Sequence, residues 1–280
     1  MAGNRKDGRG RGRTAGPRAT LAATAAAALV TAGTAAVSAQ SAPAPNDLYL
    51  RTGAVLDHPA RARFADRNCA SESPAALYGC GTGLDGAPLS TLGGFGTTAG
   101  YELGVGYAAG AALRIEAVVV HRPRTPFEGR ANFVQTSGRQ DVSADVSAVS
   151  GLLAAYLDLP ALGLPRLGPF VPFAGGGAGV SRVEIGETRM EFPRTTTVVP
   201  GGPQVSLAWM PAAGVATALG PGVTLDVAWR YTHLGAVDTG RGAGRIVWRD
   251  GRREPLEIAL AETTADLAGH GLVVSMRYAF

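Results

Sequence analysis

Between Val223 and Thr232 the chain alternates without a fault. Val223, Leu225, Val227, Trp229 and Tyr231 fall on one parity, and Thr224, Asp226, Ala228, Arg230 and Thr232 on the other. Successive side chains of a strand point to opposite faces, so a period of two means a strand with one apolar face and one face that holds the charges. The pattern recurs. Tyr101, Leu103, Val105 and Tyr107 alternate with Glu102, Gly104 and Gly106; Leu113, Ile115, Ala117 and Val119 alternate with Arg114 and Glu116; Leu272, Val274, Met276, Tyr278 and Phe280 alternate with Ser275 and Arg277. Within each of these strands the charges share one face.

Weaker strands read from 48 to 56, 141 to 158, 172 to 183 and 204 to 217. Residues 195 to 225 carry no charge, but Pro200, Pro203, Pro211 and Pro221 forbid a membrane-crossing helix there. The 40 glycines and the low charged fraction of 17% also disfavour a helical bundle, since each interior Gly costs a helix about 1 kcal/mol relative to Ala.

The strands total eight, and the seven links between them alternate in length. Long links span about 57–96, 122–140, 184–203 and 234–265, and short ones lie at 108–110, 158–169 and 219–222. Long loops at one end only, with apolar residues outward and charges inward, predict an all-β fold. It is an eight-stranded antiparallel up-and-down transmembrane β-barrel with short periplasmic turns and long extracellular loops. Strand parity turns Arg51, Glu102, Arg114, Glu116, Asp226, Arg230 and Arg277 into the barrel interior. Eight strands leave a lumen that side chains can fill, so these charges are expected to pair and close it. A hairpin is expected in the last long loop, around the Asp250-Gly251 turn signal, with 246–248 and 256–260 extending the seventh and eighth strands.

Residues 1–39 read as a secretory signal peptide: Arg5, Lys6, Arg9, Arg11, Arg13 and Arg18, then an Ala-rich run to Val37, then Val37-Ser38-Ala39. That leaves 40–280 as the barrel domain, exported by the general secretory route to the outer membrane. Of 26 basic residues six lie in the leader, and of 22 acidic ones only Asp7 does. The remaining 20 and 21 nearly cancel, so the electrostatic footprint of a nucleic-acid binder is absent. Lys6 is the sole lysine, which excludes a P-loop lysine, a Schiff-base lysine and a Ser-Lys dyad from the exported chain. Cys69 and Cys80 are the two cysteines. In an oxidising compartment a close pair bridges, and two thiols with no His at ligand spacing do not fill a zinc site.

Four stretches carry a family resemblance: Tyr49-Leu-Arg-Thr-Gly53, Pro172-Phe-Ala-Gly-Gly-Gly-Ala-Gly-Val180, Leu225-Asp-Val-Ala-Trp-Arg-Tyr-Thr-His-Leu-Gly235 and Arg277-Tyr-Ala-Phe280. The chain resembles the small OmpA-type and opacity-type outer-membrane β-barrel proteins of Gram-negative bacteria. The resemblance implies that Tyr278 and Phe280 form the signal read by the barrel-assembly machinery, with periplasmic chaperones as transient partners. It also implies a monomeric, porin-like cell-surface protein. The long first loop with its cysteine pair departs from the family pattern.

Other motifs are weak. Gly81-Thr-Gly83-Leu-Asp-Gly86 matches a dinucleotide fingerprint in form, but Cys80 precedes it, Pro88 follows, and no helix pattern is present. Asp85 alone makes a poor calcium site. Of the four histidines, His58, His121, His233 and His270, none stands in a His-x-Ser arrangement, although Glu116, Asp238 and Ser137 lie in the neighbourhood of His121 and His233. No catalytic residue, metal site or cofactor is expected. The loop arginines are Arg61, Arg63, Arg67, Arg122, Arg124, Arg130, Arg139, Arg189, Arg194, Arg241, Arg245, Arg249, Arg252 and Arg253. They suit lipopolysaccharide phosphates, which Arg grips bidentately, or simple solvation among interspersed acids. The expectation is a non-enzymatic surface protein serving envelope structure or contact with lipopolysaccharide or host surfaces. The alternatives are an enzyme of lipid A or peptides, and a narrow channel.

Overall fold

The computed structural model describes residues 47–134, 140–239 and 242–280. The leader at 1–39, and Ser137, Arg139 and Arg241, lie outside the described residues. In chain order the strands are β1 (Leu48–Pro59), β2 (Ala62–Asp66), β3 (Thr91–Phe95), β4 (Thr98–Ala109), β5 (Leu113–Ala131), β6 (Asp141–Asp158) and β7 (Val171–Ile185). Then come β8 (Thr188–Glu191), β9 (Thr195–Val199), β10 (Gly202–Gly220), β11 (Val223–Asp238), β12 (Gly242–Trp248), β13 (Leu256–Leu260) and β14 (Thr263–Ala279).

Eight of them close a ring. β1 pairs with β4, β4 with β5, β5 with β6, β6 with β7, β7 with β10, β10 with β11, β11 with β14, and β14 returns to β1, every pairing antiparallel. This is the eight-stranded up-and-down barrel, and closure leaves the ring without an edge. One end has tight connections. Gly110 and Gly222 take φ of 79° and 69° at the first and third of these turns, a left-handed backbone that glycine reaches at no steric cost. The second carries a single 3-10 turn, Leu159–Leu162, ended by Gly163.

The outward face is apolar. Leu50, Leu103, Val105, Val119, Leu153, Trp229, Leu272, Val274 and Met276 are all exposed, which suits a lipid-facing wall. Tyr107, Tyr278 and Phe280 mark the short-turn end of this belt. At its other end aromatic rings meet the histidines: Tyr101 lies 4.9 Å from His121, Trp209 5.5 Å from His233, and Trp229 5.5 Å from His270. Two such girdles are how a barrel wall meets the two membrane interfaces.

At the long-loop end the structure departs from simple loops. β5 runs to Ala131 and β14 starts at Thr263, so the wall rises well past the apolar belt. The first loop adds β2 and β3, which pair with β14 and β5. β8 and β9 extend from β6, and β12 and β13 follow. This upper tier has its own apolar core, with Phe64, Tyr78, Phe127, Val142, Ile185 and Met190 buried in it. Phe127 stands between Phe64 and Phe95, with ring centroids 5.1 Å away on each side. A second apolar cluster, including Val118, Leu152, Tyr156, Phe173 and Met210, lies within the ring.

The expected hairpin forms, but not as an extension of the seventh and eighth strands. Ile246 pairs with Leu256, so β12 and β13 close a wider loop than a two-residue turn. β12 bonds β9 instead of β11. β11 and β14 pair with each other up to Asp238 and Thr264, and the hairpin joins the upper tier beside β9 as a separate element.

Candidate functional site

The inward parity of the barrel strands gathers the charges into one layer of the lumen. Glu116 is fully buried and Glu102 is 1% exposed. Arg51 of β1 joins them: its Nε donates to Glu102 Oε1 at 3.0 Å and its Nη1 to Glu116 Oε2 at 2.6 Å. Arg230 of β11 reaches the other oxygen of Glu102 at 2.7 Å. Arg277 of β14 grips Asp226 of β11 with both Nε and Nη2, at 2.7 and 2.9 Å, the bidentate fork that Arg makes with a carboxylate. Arg114 of β5 donates from Nε to Asp158 Oδ1 at 3.1 Å. The structure thus brings together the seven charged residues that parity turns inward, in two linked clusters.

Space for this layer comes from glycine. Gly104 and Gly106 are inward positions of β4, and a Cβ on Gly106 would collide with the ring of Tyr49. Tyr49 needs that site, because its hydroxyl donates to Glu116 Oε1 at 2.7 Å. Gly175 plays the same part on β7, where a Cβ would collide with the backbone carbonyl of Ala155 and crowd the Tyr156 ring. Tyr156 and Phe173 cover the guanidinium of Arg114 at 5.3 and 4.7 Å, a cation–π contact that offsets part of its desolvation.

Several members escape the sequence reading. Tyr49, Asp158 and Asp57 are added to the network by the structure. Arg122 is a correction: the sequence puts it in a loop facing lipopolysaccharide, but the structure buries it in the lumen. Its Nε donates to Asp57 Oδ2 at 2.7 Å and its Nη2 to Thr232 Oγ1 at 3.4 Å. The parity of Glu116, Val118 and Val120 already points Arg122 inward. Pro123 hides the signal, since a proline argues for the end of a strand. Here it sits at a register shift between Arg122 and Thr125, where no ladder bond is required.

The network binds buried charge to buried charge inside the ring of strands. Arg51, Arg114, Arg122, Arg230 and Arg277 face Asp57, Glu102, Glu116, Asp158 and Asp226 in near balance. Among the described residues no cluster of three or more His, Cys, Asp or Glu side chains suits a metal ion. The histidines lie on the outward face. His58 Nδ1 contacts Thr97 Oγ1 at 3.3 Å and His233 Nδ1 accepts from the Gly235 N–H at 3.2 Å. The wall of the barrel separates them from the inward carboxylates, including Glu116.

The first loop is a separate construction. Cys69 and Cys80 are joined by a disulfide. Within the loop Asp66 receives the backbone N–H groups of Leu77, Tyr78 and Gly79 at 2.9, 2.9 and 2.7 Å. Burial raises the Tyr78 hydroxyl above its ordinary pKa, opposed in part by its hydrogen bond to Thr91. Asp85 is fully exposed, and its carboxyl is held below its ordinary value first by Asn132 and then by the Ala87 N–H. The Gly81–Gly86 segment is spanned by an isolated antiparallel bridge from Thr82 to Pro88, and no helix follows it.

Tyr278 and Phe280 stand exposed at the barrel rim, 55% and 72% accessible.

No protein-family model matches the chain, and no curated protein matches it. Among solved structures the chain is similar to the outer membrane protein OprG from Pseudomonas aeruginosa, at 16% identity over 85% of this chain and 97% of that one, with a TM-score of 0.45. It is similar to Neisserial surface protein A, at 14% identity over 83% and 97%, with a TM-score of 0.34. It is also similar to the outer membrane protease OmpT from Escherichia coli, at 7% identity over 87% and 100%, with a TM-score of 0.46.

Proposed function

We propose that this chain is a non-enzymatic, surface-exposed barrel of the outer membrane that conducts nothing along its axis. It is exported behind the 1–39 leader and assembled through its Tyr278–Phe280 end. The observation that carries the reading is the buried Arg51–Glu102–Arg230 linkage, which ties three strands across the lumen where a channel would need open water. The apolar outer belt supports the membrane setting, and the placement of all four histidines on the outward face argues against a triad with the inward carboxylates.

With the axis closed, the working surface is the upper tier. Arg61, Arg124, Arg194, Arg252 and Arg253 are exposed there, and Arg253 lies 5.6 Å over the Trp248 ring. Several of the remaining loop arginines are held by carboxylates, as Arg67 is by Asp238 at 3.0 Å and Arg189 by Glu187 at 2.8 Å. The exposed set supports contact with the phosphates of lipopolysaccharide at the outer leaflet, through the planar guanidinium. The monomer is the working unit, since closure of the ring leaves no strand edge within the belt.

The test is unfolding of the protein in nanodiscs that contain either phosphorylated or dephosphorylated lipid A. Phosphorylated lipid A should stabilise the wild type more, and the Arg194→Gln/Arg252→Gln/Arg253→Gln variant should lose most of that difference. Equal stability in the two nanodiscs would leave envelope structure, without phosphate recognition, as the role.

A further inference from the structure

Above the charged layer the lumen holds a cavity of about 60 Å³, lined by residues that include Asp57, Arg122, Thr232, Leu234, Leu267 and Ala148. That is roughly four times the space one water needs. It exists because the wall is interrupted here. The β4–β5 ladder stops at Tyr101 and His121, and the next pairing across this seam is Phe95 of β3 with Phe127. Between them Pro123 and Pro126 offer no N–H to a neighbour. The Thr98 and Thr125 hydroxyls meet at 2.7 Å across the seam.

One polar group in this lining has no partner. Arg122 is 8% exposed, its Nε and Nη2 are spent on Asp57 and Thr232, and its Nη1 is buried with no hydrogen-bond partner among the described residues. A buried donor left unpaired is costly, so a ligand that brings an acceptor gains more here than its apolar contacts alone would give. The rest of the lining is mostly apolar. The nearby charges are already matched, Arg122 with Asp57 and Arg230 with Glu102, so an added anion would have no counter-charge of its own in a poorly solvated site.

We infer that this cavity binds a small neutral organic molecule through one acceptor oxygen, a carbonyl or ether, placed on Arg122 Nη1, with its short carbon body against Leu234, Leu267 and Ala148. The head group is selected by the guanidinium, and the body by the size of the cavity.

The full chain, refolded in detergent micelles, is titrated with butanone, with 2-methyl-1-butene, which replaces the carbonyl oxygen by a methylene of the same shape, and with propanoate, the anion of that shape. The readout is the side-chain N–H resonance of Arg122. Butanone should shift it saturably, and both other compounds should bind at least about tenfold more weakly, the loss expected for one hydrogen bond to a charged donor. Ala148→Met fills the cavity from the position opposite Arg122 on the β5–β6 ladder and should abolish the saturable shift. Leu234→Phe, from another part of the lining, should do the same and stands in if Ala148→Met does not fold. The inference is overturned if butanone gives no saturable shift, if 2-methyl-1-butene or propanoate binds as well as butanone, or if the shift survives in a folded filling variant.

Discussion

Arg230 and Glu102 lie 128 positions apart in the chain, on β11 and β4, and meet in the lumen at 2.7 Å. Both are essentially buried, with side chains 2% and 0% accessible. Their contact spans the barrel, and without Glu102 the Arg230 guanidinium would lose the carboxylate it bonds in a buried place, whereas without Arg230 Glu102 would keep Arg51.

Removing one partner should therefore be expensive. Glu102→Ala and Glu116→Ala are each expected to lower the unfolding free energy by roughly 3–5 kcal/mol where the pairing is dry, with water in the lumen reducing the loss. The two carboxylates share Arg51, so their effects should not add. The double variant should show a coupling energy of about 0.5–3 kcal/mol. Denaturant unfolding in micelles, followed by the heat-dependent gel mobility of the barrel, measures all three; additive losses would mean the two halves of the network act separately.

Planar bilayers containing the reconstituted protein should show little or no steady conductance. The linkage of Arg51, Glu102, Glu116 and Arg230 would have to break for an ion path to open along the axis. A large, stable open level in single-channel recordings would contradict this and put a channel first.

The Cys69–Cys80 disulfide encloses a short segment, with a sequence separation of 11. Loop-closure entropy gives such a bridge roughly 3 kcal/mol, but it acts on the first loop, outside the ring of strands. Cys69→Ser/Cys80→Ser should speed proteolysis between 67 and 90 while the unfolding transition of the barrel changes little. Alkylation without reductant should find no reactive thiol in the wild type.

Asp85 should report on the same loop through pH. Its carboxyl accepts from Asn132 Nδ2 at 2.8 Å and from the Ala87 N–H at 3.1 Å, and both favour the ionised form. Its folded pKa is depressed, so the stabilisation it provides is complete above the unfolded value of about 3.9 and disappears as pH falls through the lower folded value. Amide exchange in the 83–90 segment should therefore quicken in strong acid, and Asn132→Ala should move the midpoint up towards the ordinary carboxylate value. An unchanged midpoint in that variant would assign the shift to the backbone contact alone.

Cell fractionation should recover the protein in the outer membrane. Phe280→Glu should cut assembly sharply, because the ring is 72% exposed beside Tyr278 at the rim of the apolar belt. Recovery of the wild type in the soluble periplasm would end the membrane reading.

The period of two was enough to read the wall of this protein. Alternation is local, so Val223 to Thr232 reveals which side chains share a face without reference to any other strand, and the same holds for Glu102, Glu116 and Arg277. The short links, with glycines at positive φ, likewise declare themselves by composition. What parity leaves open is the partner. Which carboxylate Arg51 or Arg230 finds depends on the stagger between strands that are distant in sequence, and only closure of the ring sets that stagger. Arg122 marks the boundary between the two kinds of knowledge. Its parity was legible, but Pro123 made the strand look finished, and only the tertiary structure, by placing a bulge where no ladder bond was needed, carried β5 onward and turned a loop arginine into a buried one. The upper tier is divided in the same way: β2, β3, β8 and β9 are too short to be distinguished from loops by pattern, and β2, β3 and β8 are strands because the extended barrel wall offers them backbone groups to pair with, whereas β12 and β13 were legible as a hairpin but their docking through β9 was not.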